Sequence, residues 1–275
     1  MLKKIIGLCI VAMVSLSASN YDRNVYLTGQ IKAKGESAPG QNRYSAIRAA
    51  QMVAQRNLLE VIGGLQLTSS SKLKDGLLLN DYITTQLEGY LKGAIVLEEH
   101  YNPKDGSASV VIGIGYLDSM SNVLAKSQAT GLLEKTLYKT KKPVYYEIKK
   151  TELVQKKEKP VVTFNDSLIV DVRDLEFEPA QINRIYYNGK LIYDPLMVPA
   201  EIISQRGLAK YTTTLNRAKA ILESYSSTNP LMVKALKTDK LSSDVVISQE
   251  DAVKITTQNM SKGFLESARI VFIVK

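Results

Sequence analysis

The chain has 275 residues, is 45% hydrophobic and carries a net charge of +9, with one cysteine, one histidine and no tryptophan. That length suits one large domain or two ordinary ones, with enough apolar residues for real cores. With only Cys9 and His100 available, disulfide frameworks and zinc–thiolate clusters are excluded, and a Ser-His-Asp or Cys-His apparatus has His100 alone to use.

Residues 1–18, MLKKIIGLCIVAMVSLSA, place Lys3 and Lys4 before an apolar run from Ile5 to Val14 and then small residues. This is the three-part pattern of a secretory signal peptide, with cleavage expected near Ala18-Ser19. The run is shorter than the roughly 20 residues needed to span a bilayer. Cys9 lies inside it, behind Leu8, and is badly placed for lipidation. Export to the periplasm without a lipid anchor is the expectation.

A first α+β domain is expected over 19–135. NVYLTGQIKAK (24–34) alternates apolar and polar from Val25 to Ile31 and reads as a half-buried strand. RYSAIRAAQMVAQRNLLEVIGG reads as a helix, with Ala46, Ala50, Val53, Asn57 or Leu58, and Val61 at helical spacing and Gly63-Gly64 as its stop. Ala46, Ala50 and Val53 form a candidate face for close packing or for an oligomer contact. Leu65–Leu73 suggests a short strand, and a helix capped by Asn80 or Asp81 is expected to about Tyr90. Ala94–Tyr101 and Ala108–Tyr116 read as strands joined at Asp105-Gly106. Asp118 to Lys135 reads as another helix.

Residues 135–160 carry nine lysines against three glutamates. The run reads as a solvated connector (136–160) with one exposed strand at Val144–Ile148. It also reads as a docking strip for an anionic surface such as peptidoglycan, a membrane or lipopolysaccharide, with Lys141, Lys142, Lys149 and Lys150 as candidate contacts. No nucleic-acid recognition motif accompanies the charge.

A second α+β domain is expected over 161–275, again with helices on a mainly antiparallel sheet. SLIVDVRD suits a strand, and RIYYNGKLIYD suits a hairpin turning at Asn188-Gly189. Pro199–Gln205 and Thr213–Glu223 read as helical. Leu231–Leu236 and Ser243–Ile247 are candidate strands, and Ser248 opens a helix with a capping box. The closing ARIVFIVK is apolar throughout, as expected of a strand in the middle of a sheet.

No catalytic, cofactor or metal site is assigned. Gly113-Ile114-Gly115 lacks the third glycine of a dinucleotide loop and reads as close backbone approach. Glu98 and His100 share a strand face with Glu99 turned away, too few groups for a metal. Asp166, Asp171, Asp174, Glu176 and Glu178 lack calcium-loop spacing. Two carboxylates would suffice for a glycosidase, but no pair stands out.

Residues 24–116 resemble a bacterial envelope family: a strand ending in glycine, then a helix with Ala49-Ala50, Ala54, Arg56, Leu58-Leu59 and Ile62-Gly63, then LEGYLKGAIVLEEHY and an Asp-Gly hairpin. The pattern is similar to the small outer-membrane lipoproteins of ε-proteobacteria and the related flagellar proteins FlgP and FlgT. Asp171–Leu175, the GKLIY hairpin, Asn229–Leu231 and DVVISQEDA look like a second domain of some relatives. The resemblance implies a non-enzymatic part of a flagellar motor disc at the periplasm and outer membrane, needed for motility. It implies a homo- or hetero-oligomer whose partner is a disc protein or outer-membrane lipoprotein. The missing lipobox implies a non-lipidated companion.

Overall fold

The computed structural model describes residues 24–139, 143–148, 164–208, 210–240 and 242–275. The signal-like residues 1–18 lie outside these, as do Lys141, Lys142, Lys149 and Lys150.

The chain is α+β. The expected strand from Val25 is instead a helical turn over 24–28, followed by β1 at Gln30–Glu36. Thr28 Oγ1 donates to the Asn24 carbonyl (2.8 Å), the Gly29 N–H donates to the Val25 carbonyl (2.9 Å), and Gly29 takes φ +69. Consecutive Val25 and Tyr26 are both buried, which alternation along a strand does not allow.

β1 alternates strictly, turning Ile31, Ala33 and Gly35 inward. It pairs antiparallel with β5 (Ser107–Gly115), which pairs antiparallel with β4 (Ile95–Asn102), giving the order β1-β5-β4. Gly106 at φ +73 closes the β4–β5 hairpin. Across the inner face lies α1 (Arg43–Gly64), capped by Asn42 Oδ1 accepting from Ser45 N at 3.0 Å. Its buried stripe steps by four: Ala46, Ala50, Ala54, Leu58, Ile62. Gly63 and Gly64 close the helix from inside and take no left-handed φ, and Leu65 leaves in an extended conformation. Next come a small hairpin of β2 (Gln66–Thr68) and β3 (Ser71–Lys72), then α2 (Asp81–Leu91), capped by Asn80. The single helix expected after Asp118 is divided into a π turn (Leu117–Ser121), α3 (Asn122–Ala129) and α4 (Leu132–Leu137). Gly131 at φ +69 makes the second break.

The second half carries two four-stranded sheets. In one, β10 (Pro230–Lys234), β6 (Ser167–Asp171), β13 (Ile270–Ile273) and β9 (Tyr211–Thr212) lie in that order and pair in parallel throughout. Its strands are joined through helices and long excursions rather than hairpins, as parallel pairing requires. Both faces are covered. Ile169, Val271 and Ile273 pack on Ala218 and Leu222 of α6 (Leu215–Glu223), while Leu168, Val170, Ile270 and Phe272 enter the main core. That two-sided burial is why β13 is apolar at every position. The other sheet has the order β11 (Lys237–Thr238), β12 (Val245–Val246), β7 (Ile185–Tyr187), β8 (Lys190–Tyr193). Its β11–β12 and β7–β8 pairs are antiparallel and its middle pair parallel. The β7–β8 turn uses Asn188 at φ +47 and Gly189 at φ +71. Helices α5 (Ala200–Arg206) and α7 (Gln249–Lys262), the latter capped by Ser248, complete this half.

The halves share one cluster of buried hydrophobic residues, running from Val25 to Val274. Gln181 N donates to Gln66 O (3.0 Å) and Ile182 N to Leu67 O (2.9 Å) across the seam. The buried Gln181 amide donates to Tyr26 Oη (2.8 Å) and accepts from Tyr116 Oη. Of the lysine-rich run, residues 135–139 lie in and just after α4, and residues 143–148 join the edge of β8. Tyr146 N donates to Leu191 O (2.8 Å) and Leu191 N to Val144 O (2.9 Å), so only a bridge at Tyr145 stands where a strand was expected.

Candidate interaction surface

Ala46 and Ala50 are wholly buried, and what they pack on is β1. A Cβ placed on Gly35 would lie 2.2 Å from Ala50 O and 2.2 Å from Ala54 N. Helix and strand backbones thus meet with only alanine and glycine between them. Val53 lies half-buried beside this contact, and Ala54 holds the inner position instead. A step of four from Ala50 keeps to the stripe over β1, whereas a step of three drifts off it. This face is spent on internal packing and is not free to contact another subunit.

The opposite, outer face of the sheet is open. Gln30, Lys32, Lys34 and Glu36 stay exposed along β1, and all of β4 from Ile95 to His100 is exposed. Register places Ile95 opposite Gly113, Glu98 opposite Val111 and His100 opposite Ser109, so these share the outer face. Glu99 turns to the other side and comes within 3.7 Å of Arg43. Glu98 and His100 share a face as their spacing suggests, both in solvent.

At one end this surface is apolar. Ile95 is 63% exposed and Leu97 37%, while Val96, opposite Ile112 and so on the helix side, is 46% exposed at the strand's open edge. The register shifts between Val96 and Glu98, and bulges of this kind re-aim side chains. Leu97 folds over Gly113, where a Cβ would be 2.7 Å from Leu97 Cδ1, so glycine here permits the close approach expected from sequence. Tyr90, Gly93, Ile95, Leu97 and Gly113 wall a groove of about 330 Å³. Beyond it, among the described residues, β4 has no strand partner except β5, leaving a row of backbone groups available for pairing.

The acidic stretch is engaged with its own chain. Burial pushes the Asp166 carboxyl upward, but hydrogen bonds from Thr228 N (2.9 Å), Ser227 Oγ (2.7 Å) and Asn229 N (3.1 Å) outweigh this and hold it at about 2. Asp171 is lowered chiefly by the fork of Arg173, with Nε at 2.9 Å and Nη2 at 2.6 Å. Asp166 therefore locks the turn between α6 and β10. Asp166→Ala is expected to lower stability by about 2 kcal/mol in urea unfolding. Among the described residues, no three His, Cys, Asp or Glu side chains gather as metal ligands. No described helix is long and apolar enough to cross a membrane.

A buried polar network, not anticipated from sequence, lies beneath α4 and between β7, β8 and β12. Arg184 Nη1 is 3.4 Å from Asp244 Oδ2 and Arg184 Nε is 3.8 Å from Asp194 Oδ2, with side-chain exposures of 6%, 3% and 0%. The Arg184 guanidinium also stacks over the Tyr138 ring at 5.0 Å, and its Nε donates to Tyr138 Oη (3.0 Å), which in turn donates to Asp194. Burial works against the Arg184 charge, but Asp244 and Asp194 outweigh it and raise its pKa. For Asp244 burial wins over its long contact with the guanidinium, and the carboxyl is pushed up to about 6. Tyr138 is pushed well above its ordinary value by burial and by Asp194. This network bonds elements together, and its Arg184 also lines a cleft of about 480 Å³ with Leu67, Leu132, Thr136 and Lys139.

Residues 167–275 match the family model described as the second domain of Treponema pallidum Tp0624. The match begins at β6 and takes in every element to β13, well under half of the chain. The Asp171–Leu175 stretch, the GKLIY hairpin, Asn229–Leu231 and DVVISQEDA all fall within this Tp0624-like half. No curated protein matches the chain.

Proposed function

We propose that this chain is an exported, non-enzymatic assembly protein of the bacterial envelope that works in a disc or ring around the flagellar motor. It sits in the periplasm at the outer membrane and engages a lipoprotein partner or further copies of itself through the edge and outer face of β4. The observation that carries the reading is the exposure of Ile95, Val96 and Leu97 on a strand that, among the described residues, pairs on one side only. Soluble proteins ordinarily blunt such edges with charge, proline or a covering element. The signal-like segment and the resemblance of residues 24–116 to flagellar envelope proteins support the same reading, and the β1-β5-β4 sheet lies wholly within that stretch. Ring building needs such heterologous contacts to close on themselves.

The double substitution Ile95→Lys with Leu97→Lys changes only exposed positions. Its melting temperature should stay near that of the parent, while swimming and the motor disc seen in tomograms fail as in a deletion strain. Normal swimming and an intact disc in either strain would sink the proposal.

A further inference from the structure

We propose a second site: the cleft between the two halves, beside Lys210 and Arg217, binds a phosphate or carboxylate group carried on a short apolar chain. The cleft has a volume of about 400 Å³ and is lined by residues of both halves, among them Tyr116, Leu117, Lys210, Tyr211, Arg217 and Ile221. That size falls within the range of small-molecule pockets, which are mostly apolar with a few convergent polar groups.

Lys210 supplies the first polar group. Its backbone is fixed where its carbonyl accepts from Phe272 N (2.8 Å) at the margin of the parallel sheet. Its ammonium is largely withdrawn from water, and this burial lowers its pKa to about 8. Among the described side chains, which do not include that of Asp118, no carboxylate forms an ion pair with it. A desolvated ammonium without a counter-ion is costly to a fold, and the cost is offset when an anion arrives.

The Ser121 hydroxyl is an independent sign. Ser121 is wholly buried and, among the described residues, its Oγ has no hydrogen-bond partner, although buried hydroxyls are nearly always bonded. It converges with Lys210 over Gly207: a carbon at the Cβ position of Gly207 would stand 3.4 Å from Lys210 Nζ, 3.7 Å from Ser121 Oγ and 3.4 Å from Leu117 Cδ2. Lys210 and Leu117 line both this spot and the cleft. Arg217 adds a second, exposed cation, in no ion pair among the described residues. Lys210 and Arg217 beside tyrosine, leucine and isoleucine walls match an anionic head with an apolar remainder. Charge-assisted hydrogen bonds from an ammonium and a guanidinium are the strong kind for such a head.

Calorimetric titration of the full-length protein with hexyl phosphate and with inorganic phosphate tests this. Hexyl phosphate should bind about tenfold tighter than inorganic phosphate or better, and Lys210→Met should weaken it by about tenfold or more. Lys210→Met should melt no lower than the parent, since it removes a desolvated charge and keeps the chain's shape. Arg217→Gln, an exposed change, should weaken hexyl phosphate several-fold and gives the same reading independently of Lys210. The proposal is overturned if hexyl phosphate fails to bind at millimolar concentration, binds no better than inorganic phosphate, or binds both variants as well as the parent.

Discussion

Gly35→Val should lower the stability of the fold by about 3 kcal/mol or more, and the melting temperature by roughly 6–12 °C for a chain of this size. The clash is with backbone, not with a side chain that can swing aside. The new Cβ would stand 2.2 Å from Ala50 O, 2.2 Å from Ala54 N and 2.8 Å from Ala54 Cα. Relief requires lifting α1 off β1, which opens the layer formed by Ala46, Ala50, Ala54 and Leu58, all wholly buried. A dense core forfeits contact energy steeply when its walls separate. Gly64→Ala is the matched control: it lies in the same helix with nothing within 4 Å of a new Cβ. That change, at the last residue of the helix, should leave stability within about 0.5 kcal/mol of the parent. Guanidinium unfolding of the two variants measures both. If Gly35→Val unfolds at the same denaturant concentration as the parent, helix and strand do not meet as closely as described. The substitution also bears on the proposed function, because β1 positions the sheet whose outer face and far edge carry Ile95 and Leu97.

Local chemistry made much of this architecture legible in the sequence. The alanine and leucine spacing gave α1, Asp105-Gly106 and Asn188-Gly189 gave the two hairpins, and the unbroken apolar run gave β13 its place inside a sheet. Spacing alone does not separate Val53 from Ala54 on the inner stripe of α1, because steps of three and four are both helical and only contact with β1 selects Ala54. The turn at 24–28 was hidden because Val25, Leu27 and the following residues fit a strand period until Gly29 terminates a helix. The parallel order β10-β6-β13-β9 is fixed by pairings between residues as distant as Leu168 and Ile270, and no local pattern encodes them. The interaction surface was obscure for a related reason. Ile95 and Leu97 look like core residues until the sheet is seen to bear its helix on the other face. Lys210 and Ser121 are ordinary residues in sequence, and only folding brings them to the same glycine.

Arg184→Met should cost about 3–5 kcal/mol at neutral pH, the range for removing one partner of a buried ion pair. The side chain fills a similar volume, so the loss is electrostatic rather than steric. It leaves Asp194 and Asp244 buried at 0% and 3% side-chain exposure without the cation that faces both. It also takes a hydrogen bond from Tyr138 Oη and one stacked charge from its ring. The pH dependence separates this cause from a packing defect. In the parent, Asp244 is already pushed up to about 6 by burial, against an ordinary 3.8. A carboxyl raised on folding contributes stability that is fully present below its unfolded value and lost as pH rises through its folded one. For this group the window therefore runs from about 4 to about 6. Without Arg184 the attraction that opposes burial disappears, so the carboxyl rises further and the window extends upward. The deficit of the variant should be largest near pH 8 and should shrink as pH falls toward 5, where protonation removes the uncompensated charge. Urea unfolding of parent and variant at both pH values reads this directly. An equal deficit at the two would mean that Arg184 acts by filling space, and the ionic account of the network would fail.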